Sequence, residues 1–134
     1  MADPIRILIV DDNASVRVML SRMLSRRSGF QVVSEAESGE QACEAAMDAE
    51  PDVVLMDVFM AGMSGVEAAR TISEKLPNVC IIGVSATEDG PIHEAMREAG
   101  AVDFVPKTAS VDQLVMAIQA AATVRRRSLA QSQA

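Results

Sequence analysis

Apolar positions along this chain fall into two alternating kinds of run. Short, nearly unbroken runs occur at Ile5 to Val10, Phe30 to Ala36, Val53 to Met56 and Val79 to Val84, with a brief fifth at Asp103 to Val105. Runs this short and branched, bounded by Gly, Pro, Asn or Asp, predict strands, and those apolar on both faces predict strands buried on both faces. Between them apolar residues recur every three or four positions. Val16, Met19, Leu20, Met23 and Leu24 predict a helix over 14–27 behind an Asn13 N-cap. Ala42, Cys43, Ala46 and Met47 predict a second over 39–49, stopped at Glu50-Pro51 because proline cannot continue it. Val66, Ala69, Ile72 and Leu76 mark a third, ending at Pro77-Asn78, and a fourth is expected over about 91–99, opened by Pro91 and closed by Gly100. Val111, Leu114, Val115 and Ile118 mark a fifth, with Asp112 near its start and Arg125 to Arg127 near its end, where the helix dipole favours each charge. The closing SLAQSQA carries no pattern and is expected to fray. We therefore divide the chain into a folded unit, 1–124, and a polar tail or start of a linker, 125–134.

Strands that alternate with helices five times predict a parallel sheet covered on both faces. Right-handed crossovers restrict it to a doubly wound, five-stranded, flavodoxin-like arrangement with five helices and strand order 2-1-3-4-5. A length of 134 residues fits one domain, and 49% hydrophobic content supplies a core. No apolar run approaches the roughly 20 residues that cross a bilayer, and MADPIR has no signal-peptide pattern, so a cytoplasmic location without a membrane partner is expected. A formal net charge of -7 would be repelled by phosphate backbones, and three Phe with no Tyr or Trp offer few stacking platforms, which argues against direct nucleic-acid binding. Cys43 and Cys80 lack metal or redox spacing and are expected to be reduced, buried thiols.

The chemistry gathers at one edge. In a parallel sheet all strand C-terminal ends lie together, so Asp11 and Asp12 after the first strand converge with Asp57 after the third, near Ser85 and Lys107 at the ends of the fourth and fifth. Three converging carboxylates need a cation. His93, the single histidine, lies in the fourth helix away from this edge and reads as an exposed helix residue, so no side chain has the look of a hydrolytic nucleophile with its base. Oxygen ligands, a hydroxyl and an ammonium suit a hard ion and a phosphoryl group: magnesium accepts one or two carboxylates and takes oxygen from phosphate. A carboxylate can itself attack phosphorus to give an aspartyl phosphate, with Lys107 and Ser85 binding the remaining oxygens.

IRILIVDDN, PDVVLMDVFMAGMSG, GVSA and GAVDFVPK, in that order, resemble the receiver domain of two-component response regulators, over residues 5 to about 123. The resemblance implies that Asp57 accepts a phosphoryl group from a sensor histidine kinase or phosphotransfer protein. It implies Mg2+ or Mn2+ held directly by Asp12, Asp57 and the backbone carbonyl of Phe59, with Asp11 acting through water. It further implies that Ser85 and Lys107 sense the phosphoryl group and that Phe104 is the switch aromatic, reshaping the surface of helix four, strand five and helix five. The segment KTASVDQLVMAIQAA resembles receivers of the NarL/FixJ type, which carry a C-terminal helix-turn-helix DNA-binding domain. The chain is thus expected to act through protein contacts or to be the receiver part of a longer regulator, with a homodimer on phosphorylation as a further expectation.

Several positions depart from that family's pattern. Ala61 stands where proline is usual, which leaves the loop after Asp57 less restrained, and Thr108 stands where a proline often follows a cis bond, a geometry that costs a non-proline about 2.5–4 kcal/mol. Phe59 and Thr87 occupy positions that, in the family this chain resembles, influence how fast water reaches the phosphoaspartate, and Phe104 lacks the hydroxyl of the tyrosine commoner there. A phosphatase using an aspartate nucleophile would need a second acid two residues after Asp57, where Phe59 stands. A phosphorylation-independent pseudo-receiver that serves as a binding module is the alternative, and no Gly-rich phosphate loop follows the first strand, which argues against a nucleotide-binding flavodoxin-like protein.

Overall fold

The computed structural model describes residues 3–60, 62–86 and 90–133. Five strands, β1 (Ile5–Val10), β2 (Phe30–Ala36), β3 (Val53–Asp57), β4 (Cys80–Ser85) and β5 (Ala101–Pro106), alternate with α1 (Ala14–Ser25), α2 (Gly39–Ala49), α3 (Gly65–Lys75), α4 (Gly90–Glu98) and α5 (Val111–Gln133). All strand pairs are parallel and the order is β2-β1-β3-β4-β5, the doubly wound arrangement expected from the alternation.

Strand alternation sorts the core into two layers. Leu8, Val10, Val54, Met56 and Ile81 point to one side, where Ala42 and Ala46 of α2, Ala68, Ala69 and Ile72 of α3, and Met96 of α4 cover them. Ile7, Ile9, Val53, Leu55 and Ile82 point to the other, under Leu24 of α1 and Leu114, Val115 and Ile118 of α5. Among these, each fully buried Val, Leu, Ile or Met side chain is worth about 1.5–3 kcal/mol relative to exposure. The central strands β1 and β3 are buried throughout apart from a half-buried Arg6, as their unbroken apolar runs require.

Three elements differ from the sequence expectation by two residues or more, the others by at most about one at either end. β5 spans Ala101–Pro106 rather than 103–105, because its pairing with β4 runs from Ala101 to Pro106, with a register shift that skips the exposed Val102. α1 stops at Ser25, capped by Arg26, two residues earlier than the periodicity suggested. The largest difference is α5, a helix of 23 residues that carries the closing SLAQSQ with it instead of fraying. No Gly or Pro interrupts Val111–Gln133, and Ala, Arg, Leu and Gln dominate its second half, all strong helix formers. Arg125 to Arg127 therefore do not end a helix. Arg125 pairs with Asp52 at 2.9 Å and donates to the Asn78 carbonyl at 2.6 Å, while Arg126 donates to the Asp3 carbonyl at 2.7 Å. These bonds tie α5 to the edge of the sheet where the strands begin. Cys80 is buried and Cys43 half-buried; both are free thiols, and burial pushes each above the usual thiol range, which disfavours the reactive thiolate. Among the described residues no peptide bond is cis, Lys107–Thr108 included.

Candidate functional site

β1 and β3 are neighbours, with Val10 opposite Met56, so the residues that follow, Asp11 and Asp57, emerge side by side. On the other flank Asp57 lies opposite Val84, one residue before Ser85. Lys107 follows β5 directly, and its backbone N–H donates to the Ser85 carbonyl at 2.9 Å, which fixes the start of its side chain over the same edge. Topology alone thus brings residues 11, 57, 85 and 107 together.

Local bonds then orient the acids. Asp11 is only 3% exposed; its N–H donates to the Ala36 carbonyl at 3.1 Å and its Oδ1 accepts the Asn13 N–H at 2.9 Å. Asn13 in turn caps α1, its Oδ1 accepting from the N–H groups of Ser15 and Val16. One residue thereby starts the helix and steadies the acid beside it. Arg17, one turn into α1, donates from Nη1 to the Asp11 carbonyl at 2.7 Å and pairs with Glu35 at 3.6 Å and Glu37 at 4.0 Å. Asp57 is 1% exposed, and its Oδ1 accepts the Phe59 N–H at 3.2 Å. Gly65, the first residue of α3, packs so tightly behind it that a Cβ there would collide with the Asp57 carbonyl oxygen.

Lys107 spans the two buried acids, its Nζ 3.3 Å from Asp57 Oδ2 and 3.6 Å from Asp11 Oδ2. Burial and then the neighbouring Asp11 charge push the Asp57 carboxyl above its ordinary range, while Lys107 and the Phe59 N–H pull it back only in part. Burial alone would lower the Lys107 ammonium, but Asp57 and Asp11 outweigh it and hold its pKa above the usual value. The site thus carries an excess of negative charge that a single ammonium does not neutralise.

Asp12 is exposed, and one carboxylate oxygen from each of Asp11, Asp12 and Asp57 lies within 4.8 Å of the others. The donor set is all oxygen, without sulfur or imidazole, which fits Mg2+ or Mn2+ rather than a softer ion.

The expected residues Asp11, Asp12, Asp57, Ser85 and Lys107 therefore share one edge, with Ser85 3% exposed. Phe59 contributes its backbone N–H to Asp57, while the residue as a whole is 52% exposed. Phe104 lies further down β5, half-buried. Ala61 and Thr87 lie outside the described residues. Two residues were misread or missed. His93 is not a plain exposed helix residue: its ring stacks on Phe104, centroids 4.5 Å apart and planes 13° from parallel. Arg17 was passed over because nothing in helical periodicity tells that a half-buried arginine reaches back to the carbonyl of Asp11. Its place four residues after the N-cap was the one available signal.

A doubly wound sheet with acids from its first and third strands and a lysine after its fifth defines the receiver class of signalling domain. The sequence profile of the response regulator receiver domain matches residues 7–119, and this chain belongs to that family. It is 40% identical over 115 residues to the response regulator GacA of Pseudomonas viridiflava, a match that spans 86% of this chain and 54% of that protein. Against the transcriptional regulatory protein LiaR of Bacillus subtilis it is 35% identical over 117 residues, 87% of this chain and 56% of that one. The chain thus spans about half the length of the curated relatives it matches. Among solved structures it resembles the response regulator domain of Thermotoga maritima CheB (TM-score 0.83, 33% identity, 90% of this chain and 97% of that one). It also resembles the receiver domain of the putative regulator NarL from Mycobacterium tuberculosis (TM-score 0.85, 30% identity, 91% and 98%). Among the described residues no helix is long and apolar enough to cross a membrane.

Proposed function

We propose that this domain is a phosphoacceptor switch in which Asp57 takes a phosphoryl group from the phosphohistidine of a sensor histidine kinase or phosphotransfer protein. The observation that carries the reading is the setting of Asp57: buried, one oxygen on the Phe59 N–H, the other on Lys107, beside two further acids. A carboxylate held this way has one face turned to the sheet edge and a fixed orientation for in-line attack. An Asp57 oxygen forms the new bond to phosphorus, the bond from phosphorus to the histidine nitrogen breaks, and the imidazole leaves with the electron pair. Asp11 and Asp12 would hold Mg2+ or Mn2+ together with Asp57 and the Phe59 carbonyl; when bound, the ion neutralises charge between carboxylate and phosphoryl oxygens. Lys107 exchanges a carboxylate oxygen for a phosphoryl oxygen, and the Ser85 hydroxyl donates to another.

The added group carries about 1.5–2 negative charges and three acceptor oxygens. It draws Lys107 and Ser85 together at the ends of β4 and β5, and Phe104 follows as the switch aromatic, changing the α4–β5–α5 surface. That surface passes the signal to a partner protein, to a second copy of the domain, or to a DNA-binding output domain following residues 125–134 in a longer regulator. As in a signalling module rather than a turnover enzyme, the domain assists its own phosphorylation and its later hydrolysis.

Incubation with acetyl phosphate or phosphoramidate and Mg2+, followed by intact mass spectrometry, tests this. Wild type should gain the mass of one phosphoryl group and Asp57→Ala none; equal gain in both, or gain in neither, contradicts the assignment. Gain in neither, with partner binding intact, would favour a pseudo-receiver that signals without phosphorylation.

A further inference from the structure

The surroundings of Phe104 are more specific than core packing requires. Its ring lies over Gly83 in the adjacent strand: a Cβ at that position would come 2.9 Å from Phe104 Cδ1 and 3.0 Å from Cε1. Gly83 is paired directly with Phe104 in the β4–β5 register, so the missing side chain leaves room for the ring where a larger residue would fill it. No positive φ requires glycine there. The bare α-carbon therefore serves the ring and not the backbone, since glycine otherwise weakens a strand.

α4 packs against the same ring. His93 stacks on it at 4.5 Å, and Arg97, four residues later on the same helix face, holds its guanidinium carbon 5.7 Å from the ring centroid. Arg97 is itself held by Glu94 at 3.2 Å. Met96 on the same helix is fully buried, its methyl 3.4 Å from where a Gly83 Cβ would stand. Phe104 cannot turn, and α4 cannot slide along β5, without separating the two stacked rings.

We propose that Gly83 and His93 together form a seat for Phe104, and that His93 is a positioning residue that sets how readily the ring leaves it and hence how much phosphodonor is needed to switch the domain. The proposal rests on the reading of Phe104 as the switch aromatic. An offset aromatic stack changes a two-state population by roughly two- to tenfold, enough to move the donor concentration at half-switching by the same factor.

The chain contains three phenylalanines, Phe30, Phe59 and Phe104, so 4-fluorophenylalanine labelling gives a fluorine spectrum of three resonances, assigned by single substitutions. The Phe104 resonance is followed with increasing acetyl phosphate and Mg2+ in the full chain, with phosphorylation of Asp57 measured in parallel by intact mass. In His93→Ala and in Gly83→Ala, Phe104 should already be displaced from its wild-type shift before any donor is added, and half-switching should move roughly two- to tenfold. His93→Tyr, which keeps a stacking ring and adds no fluorine, should restore the wild-type spectrum and dose response. If Phe104 responds to the donor in wild type but His93→Ala and Gly83→Ala match wild type throughout, the seat is refuted while the switch reading stands. If Asp57 gains the phosphoryl group and the wild-type Phe104 resonance ignores it, the switch role of Phe104 fails and the seat's role in switching fails with it.

Discussion

Lys107 offers the sharpest energetic test of the acidic edge, because it is the cation shared by two buried carboxylates. Its Nζ is 3.3 Å from Asp57 Oδ2, a separation at which Coulomb attraction is about 5 kcal/mol for an effective dielectric near 20. The Lys107 side chain is 34% exposed, so water screens the pair, and an effective dielectric of about 40–80 brings the attraction to about 1–2.5 kcal/mol. The perturbation is a double-mutant cycle of Lys107→Met and Asp57→Asn, read by urea unfolding. In the wild-type background Asp57→Asn removes the burial cost and the repulsion from Asp11, but also the attraction to Lys107. In the Lys107→Met background only the first two remain, so Asp57→Asn should stabilise more there, by about 1–2.5 kcal/mol or roughly 3–10 °C in melting temperature. An Asp57→Asn effect equal in the two backgrounds within about 0.3 kcal/mol would refute the coupling and with it this account of the site's charge balance.

Three further outcomes follow from the same geometry. The folded Asp57 carboxyl titrates above its unfolded value of about 3.9, so the native state binds more protons in between and stability falls as pH rises through that interval; the advantage of Asp57→Asn over wild type should be absent at the acid end, grow across it and level off above it, and a pH-independent difference would contradict this. Gly65→Ala should destabilise by about 1–2 kcal/mol, the clash with the Asp57 carbonyl exceeding the gain in helix propensity, and should slow labelling of Asp57; a more stable variant labelled at the wild-type rate would show that the contact relaxes freely. Phe59→Asn should shorten the lifetime of the phosphorylated state by admitting water beside Asp57, measured as loss of phosphoryl mass after donor removal, and equal hydrolysis rates would refute the shielding role of Phe59.

The edge chemistry was legible from the chain because parallel topology converts sequence position into space. Once Ile5 to Val10 and Val53 to Met56 are read as strands, Asp11 and Asp57 must neighbour each other, and the Val10/Met56 register bears that placement out, as the Ser85/Pro106 register does for Ser85 and Lys107. What the pattern did not carry were contacts made by side chains that are neither apolar nor at strand ends. The reach of Arg17 to the Asp11 carbonyl, the pairing of Arg125 with Asp52 and the stack of His93 on Phe104 each join elements that no periodicity relates. The length of α5 was missed for a different reason: polar residues without an amphipathic stripe resemble a tail, yet Ala, Arg, Leu and Gln in sequence hold a helix that packing has already nucleated.

The central claim is that Asp57 becomes an acyl phosphate when a hard divalent ion occupies the acids beside it. Borohydride reduction after acetyl phosphate treatment, which converts an aspartyl phosphate to homoserine, followed by peptide mass mapping, tests it most directly. With Mg2+ the peptide containing Asp57 should carry homoserine at that position, and with a chelator it should not. Homoserine at Asp11 or Asp12 instead, or equal conversion of Asp57 without the ion, would contradict the account.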